Sequence, residues 1–439
     1  MVRHLIVLLA ALALAGCGGG GSSPSTSTIA VTTTTGTTGP VATVNTAVVT
    51  VDAGPPALRA GSGGYSAFNE PYVTVTLCAP GSTTNCQTID HVILDTGSVG
   101  LRIIASVLNP GLIAALPTET DAASNSVGEC YQYVNSYAFG SVRTGDFSIA
   151  GEKVAAMPFQ VIADTGRFAG VPPGCSSGGG SNIATVQDFG ANGILGVGTT
   201  TTDCGTYCTV AGGSAGASYY DCPTAGCGDI IGRASNSAAP FEQLPNPVAA
   251  FPIDNNGVIL ALPAVPQRGV MTLAGTVIFG IGTQADNALA ATNVLPVTTS
   301  SSRLGAGVLT ATYNDKQLTQ SFLDSGSNDY FFIDTALDPC TDTSLIAFYC
   351  PAAPTPLSPV LTATNGVTAS GAFTLYSPLD VTGSSTVAPG LGINPTLVKP
   401  PLPFANSFDF GLPFFFGRTV YTAIEGRAAG GVQGPFFAF

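Results

Sequence analysis

Three features of the sequence predict a mainly β protein. Short runs of Val, Ile, Thr, Phe and Tyr alternate with Gly, Pro, Asn and Ser, the pattern of short strands joined by turns. Gly numbers 55 and Pro 32, and both punctuate local structure. Few segments place Ala, Leu, Glu and Lys at helical spacing. With 439 residues the chain can build two domains with cores of their own.

Charge narrows the function. Only 9% of residues are charged and the formal net charge is -13. Such a chain repels nucleic acid backbones and anionic head groups, so nucleic acid is not expected as a partner. The two histidines are His4 and His91. They cannot supply a multi-His metal site, and no His-Glu-x-x-His string occurs. A Ser-His-Asp triad would have to use His91. No metal or cofactor is expected, and carboxylates are left to carry the proton chemistry of a hydrolase.

The N-terminus reads as an address. Met1-Val2-Arg3-His4, an apolar stretch from Leu5 to Ala15 and then Gly16-Cys17 form an export signal too short to span a membrane comfortably. Leu14-Ala15-Gly16-Cys17 resembles the bacterial lipobox. That resemblance implies a signal peptide over residues 1–16, a lipid on Cys17 and, since Gly18 follows rather than Asp, the outer membrane. Residues 17–65 are expected as a flexible Gly/Ser/Thr tether, although Val41 to Val51 is apolar enough to pair as a strand on the first lobe. Of the eleven cysteines, ten remain beyond Cys17, and an even number in an exported chain predicts five disulfides. Cys78 and Cys86 flank a short turn, as do Cys340 and Cys350. Cys204, Cys208, Cys222 and Cys227 nest across one loop, with zinc as the alternative, and Cys130 and Cys175 pair by elimination.

Two strings carry the candidate chemistry. His91-Val-Ile-Leu-Asp95-Thr96-Gly97-Ser98 is an apolar strand running into a polar loop, and Ser321-Phe-Leu-Asp324-Ser325-Gly326-Ser327 repeats it. One copy is weak evidence in a chain rich in Gly, Ser and Thr; two copies, one in each half, are not. Two carboxylates brought within about 3 Å share a proton. The ionised one can accept a proton from water while the other donates to a substrate carbonyl. The glycines allow a close approach of the loops, and the neighbouring hydroxyls can orient the carboxylates.

These motifs resemble those of the pepsin-type aspartic proteases, over roughly residues 66 to 439. The resemblance implies a bilobal fold of two related β-barrel-like lobes with a cleft between them. The N-terminal lobe would be 66–265 and the C-terminal lobe 266–439, with Asp95 and Asp324 as the catalytic pair. An apolar-apolar-Gly strand is expected beneath each loop: Gly193 to Gly198 in the first half, and Phe414-Phe415-Phe416-Gly417 in the second. Val277-Ile278-Phe279-Gly280 resembles the inter-lobe strand. A hairpin within Cys130 to Gly151 is the expected flap, with Tyr137 or Tyr133 as its tyrosine. The family's tryptophan seven residues after the first Asp is replaced by Arg102, which predicts a looser flap. No basic prosegment is visible. The chain further resembles a group of bacterial lipoproteins of unknown function.

The resulting expectation is an aspartic endopeptidase. It would be a monomer, anchored through its lipid alone, taking extended polypeptides and using a dyad-activated water. The alternative is a catalytically silent module on the same scaffold that binds a protein or peptide at the cell envelope.

Overall fold

The computed structural model describes residues 45–60, 66–121, 123–177, 179–204, 217–228, 243–302, 306–398 and 404–439. Cys17, the signal segment and Cys208 lie outside them.

The chain is mainly β. Among the described residues one sheet holds fifteen strands and a second holds seven, with helices of only a few residues between them. The large sheet runs from strands of the first half, through Thr46–Val51, to Leu273–Phe279, Gly257–Leu262, Arg418–Ala423 and Phe436–Ala438. Thr46–Val51 pairs antiparallel with Leu273–Phe279 over its whole length, and with Pro71–Cys78 at its end. Its Val49 and Val51 are fully buried. The expected tether to residue 65 is therefore too long: its apolar end is a strand, followed by a short helix at Pro56–Ala60. This strand lies mainly against Leu273–Phe279, with only two residue pairs to the strand of the first half.

Strand alternation builds the core. A large apolar cluster joins Val75, Leu94, Leu195, Leu260, Val277, Leu323, Phe408 and Phe437 from both halves of the chain. Aromatic rings dominate around the second sheet, where Phe332 stacks on Phe408 at 4.6 Å and Phe408 on Phe410 at 4.4 Å.

Disulfides join Cys78 to Cys86, Cys130 to Cys175, Cys222 to Cys227 and Cys340 to Cys350. Cys204 is also disulfide-bonded. Sulfurs already paired in this way are not thiolate ligands, which removes the zinc alternative for Cys204, Cys222 and Cys227.

Candidate active site

The Cys86–Asp95 strand delivers Asp95 at its last residue, and Lys316–Leu323 ends one residue before Asp324. Under each lies a parallel neighbour. Ile93, Leu94 and Asp95 pair with Ile194, Leu195 and Gly196. Phe322 and Leu323 pair with Asp409 and Phe410, and Asp324 N–H donates to Phe410 O at 3.0 Å. The second supporting strand is thus Asp409–Phe410 followed by Gly411, which corrects the expectation of Phe414 to Gly417. Leu412–Phe414 coils into a 3-10 turn with Pro413 inside it, and Pro cannot supply a ladder donor. Arg418–Ala423 then pairs with Gly257–Leu262 instead.

The two loops are built alike. Gly97 N–H donates to Asp95 Oδ1 at 2.8 Å, and Ser98 Oγ donates to Asp95 Oδ2. Gly326 N–H donates to Asp324 Oδ1 at 2.8 Å, and Ser327 Oγ lies 3.0 Å from Asp324 Oδ2. The loops are also bound to each other. Thr96 N–H donates to Ser325 Oγ, and Ser325 N–H donates to Thr96 Oγ1, each at 3.0 Å. The Ser325 hydroxyl donates to Leu94 O at 2.7 Å, and the Thr96 hydroxyl to Leu323 O at 3.4 Å. Close approach explains Gly326, where a Cβ would sit 2.6 Å from Asp95 Oδ1. Every residue of the expected set from Thr96 to Ser98 and from Ser325 to Ser327 falls in this one cluster. Asp95 and Asp324 are both fully buried.

A hairpin of Ser126–Gln132 and Ser136–Ile149 turns through Tyr133, Val134 and Asn135. It is braced rather than free. Ala217–Cys222 pairs along Ser126–Gln132 and Ser181–Ile183 along the start of Ser136–Ile149. The Cys130–Cys175 disulfide staples its first strand close to the turn, and Val134 at the tip joins an apolar cluster whose other buried members, including Phe331, Phe348 and Leu391, come from the second half of the chain.

Tyr133 packs edge-on to Tyr131 at 4.9 Å and against Phe189. Tyr137 packs with Cys130, Phe139 and Cys175 in another cluster. Burial, and less strongly the field of Asp95, raise the phenols of Tyr131 and Tyr133 above the ordinary tyrosine range, against an opposing pull from Arg102. Tyr131 thus joins the expected candidate Tyr133 beside Arg102, and Tyr137 packs in a separate cluster.

Arg102 does not loosen the hairpin. It is wholly buried, donates to Glu129 Oε1 at 2.6 Å and Asp203 Oδ2 at 3.2 Å, and stacks over Tyr131 at 3.8 Å. Burial disfavours its charge, but Glu129, the tyrosines and Asp203 outweigh burial and favour it. Glu129 and Tyr131 both belong to the hairpin, so a guanidinium ties it to the strand that leaves the Asp95 loop.

Both Asp loops fall within a single matching family model, that of a protein of unknown function (DUF3443), which covers residues 41–439. The chain belongs to that family. No curated protein matches it.

Sequence reasoning missed three acids beside the pair. Glu70 is buried, and its carboxyl is raised well above the usual range by burial and then by Asp95, Asp324 and Asp329. Its position follows from Asn69, whose side-chain amide donates to Asn328 O at 2.8 Å and Ala388 O at 3.0 Å. Asp329 is pushed up to about 7 by burial alone. Asp409 lies beneath Ser327. The available signal was an acid inside an otherwise apolar or turn-like run, as in Phe408-Asp409-Phe410-Gly411. His91 pairs with Asp52 and Asp90 and meets Tyr72 edge-on.

Proposed function

We propose that this chain is a pepsin-like aspartic endopeptidase of two related lobes, near 66–265 and 266–439, whose catalytic pair is Asp95 and Asp324. The observation that carries the reading is the mutual lock of two Asp-Thr/Ser-Gly-Ser loops through Thr96 and Ser325. The matched parallel strand beneath each Asp supports it. In this mechanism the ionised carboxylate takes a proton from water, and the hydroxide attacks the peptide carbonyl. The protonated partner donates to the carbonyl oxygen as it becomes tetrahedral, and a proton passes to the leaving nitrogen as the C–N bond breaks. Extended polypeptides are the proposed substrates. The lipobox-like Leu14 to Cys17 supports a lipid-anchored place in the cell envelope, at the outer membrane.

The test is incubation of the soluble mature protein with a diverse peptide library between about pH 3 and 7, with cleavage mapped by mass spectrometry. Cleavage abolished in Asp95→Asn and in Asp324→Asn supports the reading; no cleavage by the wild type at any pH overturns it. One observation favours the second reading, a silent binding module: the carboxylates are fully buried and the hairpin tip is packed into the other half of the chain. Peptides retained without cleavage would decide for it.

A further inference from the structure

The two Asp loops differ in what meets their last serine. Ser327 Oγ lies 3.0 Å from Asp324 Oδ2 and 2.7 Å from Asp409 Oδ2. A hydroxyl has one proton to donate. If both carboxylates were ionised, one of these contacts would set two acceptors against each other without a proton between them. One of the acids must therefore donate to Ser327.

We propose that Asp409 is that donor: a positioning residue that holds a proton on its carboxyl, gives it in a hydrogen bond to Ser327 Oγ, and so commits the Ser327 proton to Asp324. Two observations favour Asp409 over Asp324 as the protonated partner. The contact from Asp409 is the shorter one, as for a carboxylic acid O–H. Asp324 Oδ1 accepts the Gly326 N–H, which stabilises an ionised carboxylate. Both acids are fully buried, so leaving both ionised at one hydroxyl would be costly. Among the described residues the titratable and charged groups around it include Asp324 beyond Ser327, Asp329 and Tyr330 at the neighbouring strand, and Arg418, which lies against Tyr330 and Phe414.

The register locates the asymmetry. Asp409 pairs with the residue two before Asp324, and its counterpart, paired two before Asp95, is Ile194. The register position that carries an acid in the second half thus carries an apolar residue in the first. A committed Ser327 proton gives Asp324 the same pair of donors, one hydroxyl and one backbone N–H, that Asp95 has from Ser98 and Gly97.

The inference rests on the proposed catalytic pair, so its test has one readout that needs no activity. An infrared difference spectrum between wild type and Asp409→Asn, taken on the folded mature protein near neutral pH, should show the loss of one protonated carboxyl band. If no such band is lost, Asp409 is ionised and the proposal falls. The kinetic arm separates a positioning role from a structural one. Asp409→Asn keeps an N–H donor to Ser327 and should hold kcat within about twofold, while Asp409→Ile, the residue of the other half, should lower kcat about tenfold at unchanged KM, the worth of one hydrogen bond. Equal kcat in both variants overturns the positioning role. If Asp409→Ile does not fold, the infrared arm and the Asn variant still decide. A lost band with no peptide cleaved by any variant would leave the Asp409 proton in place and sink the protease reading alone.

Discussion

Thr96 and Ser325 exchange hydrogen bonds across the two halves of the chain, backbone N–H to side-chain oxygen in both directions at 3.0 Å. Each hydroxyl also donates to the backbone of the opposite strand. Four groups from residues 229 apart thus satisfy one another in a buried setting. Removing one hydroxyl orphans a buried N–H, at a cost of about 1–3 kcal/mol. Thr96→Val and Ser325→Ala should each lower stability by that order. Their double mutant should lose less than the sum, because both act on one unit. Urea denaturation of the four proteins measures the coupling, and strict additivity would refute the lock.

On the proposed protease reading, Asp95→Asn and Asp324→Asn should each abolish cleavage and the double change should add little, since in that mechanism neither carboxylate works without the other. Both variants should stay folded, because an amide fills nearly the same space. Peptide turnover with circular dichroism on the same samples separates the two effects. Retention of wild-type turnover in either variant would remove the pair from the mechanism.

Much of this was legible in the sequence for a physical reason. A short apolar strand running into Asp-Thr/Ser-Gly-Ser is a local pattern, and its repetition marks both loops. The strands beneath them were half legible. Gly193-Ile-Leu-Gly196 has no competitor nearby, whereas Phe408 to Gly417 offers two apolar runs ending in Gly. Only the pairing of Phe322 with Asp409 decides between them. Glu70 and Arg102 were illegible in another way. Their roles depend on partners far along the chain, Asn328 through Asn69 in one case, Glu129 and Asp203 in the other.

Stability should fall as pH rises from about 4 to about 7. Asp329 ionises in the usual carboxylate range when unfolded but only at about 7 in the fold, because burial penalises its charge. A carboxyl raised in this way favours the folded state fully below the unfolded value, and that contribution is lost as pH climbs through the folded one. The gap corresponds to roughly 4 kcal/mol at most. Glu70, also raised, acts in the same direction. Asp329→Asn should flatten the dependence and leave the protein more stable than wild type at pH 8. Thermal midpoints across the range test this, and an unchanged pH slope in the variant would contradict it.

Arg102 makes the sharpest prediction about the hairpin. Glu129 and Asp203 are buried acids, and burial followed by the charge of Glu129 already raises Asp203 well above the usual range. Tyr219 donates to Asp203 at 2.8 Å, but Arg102 is the cation that compensates both acids. Removing it with Arg102→Met leaves two acids in an apolar interior, which typically costs about 3–5 kcal/mol. Arg102→Trp, although it restores the residue usual in the resembled family, should be as damaging, because an indole N–H cannot neutralise two carboxylates. Arg102→Lys keeps the charge but not the planar stack on Tyr131 or the reach to both acids. It should therefore fold, with a loosened hairpin. Amide exchange in Ser126–Gln132 should accelerate in this variant while exchange in Cys86–Asp95 stays slow. Equal acceleration in both strands would mean that Arg102 supports the core at large. No acceleration in either would mean that the Cys130–Cys175 staple and the flanking strands hold the hairpin without it.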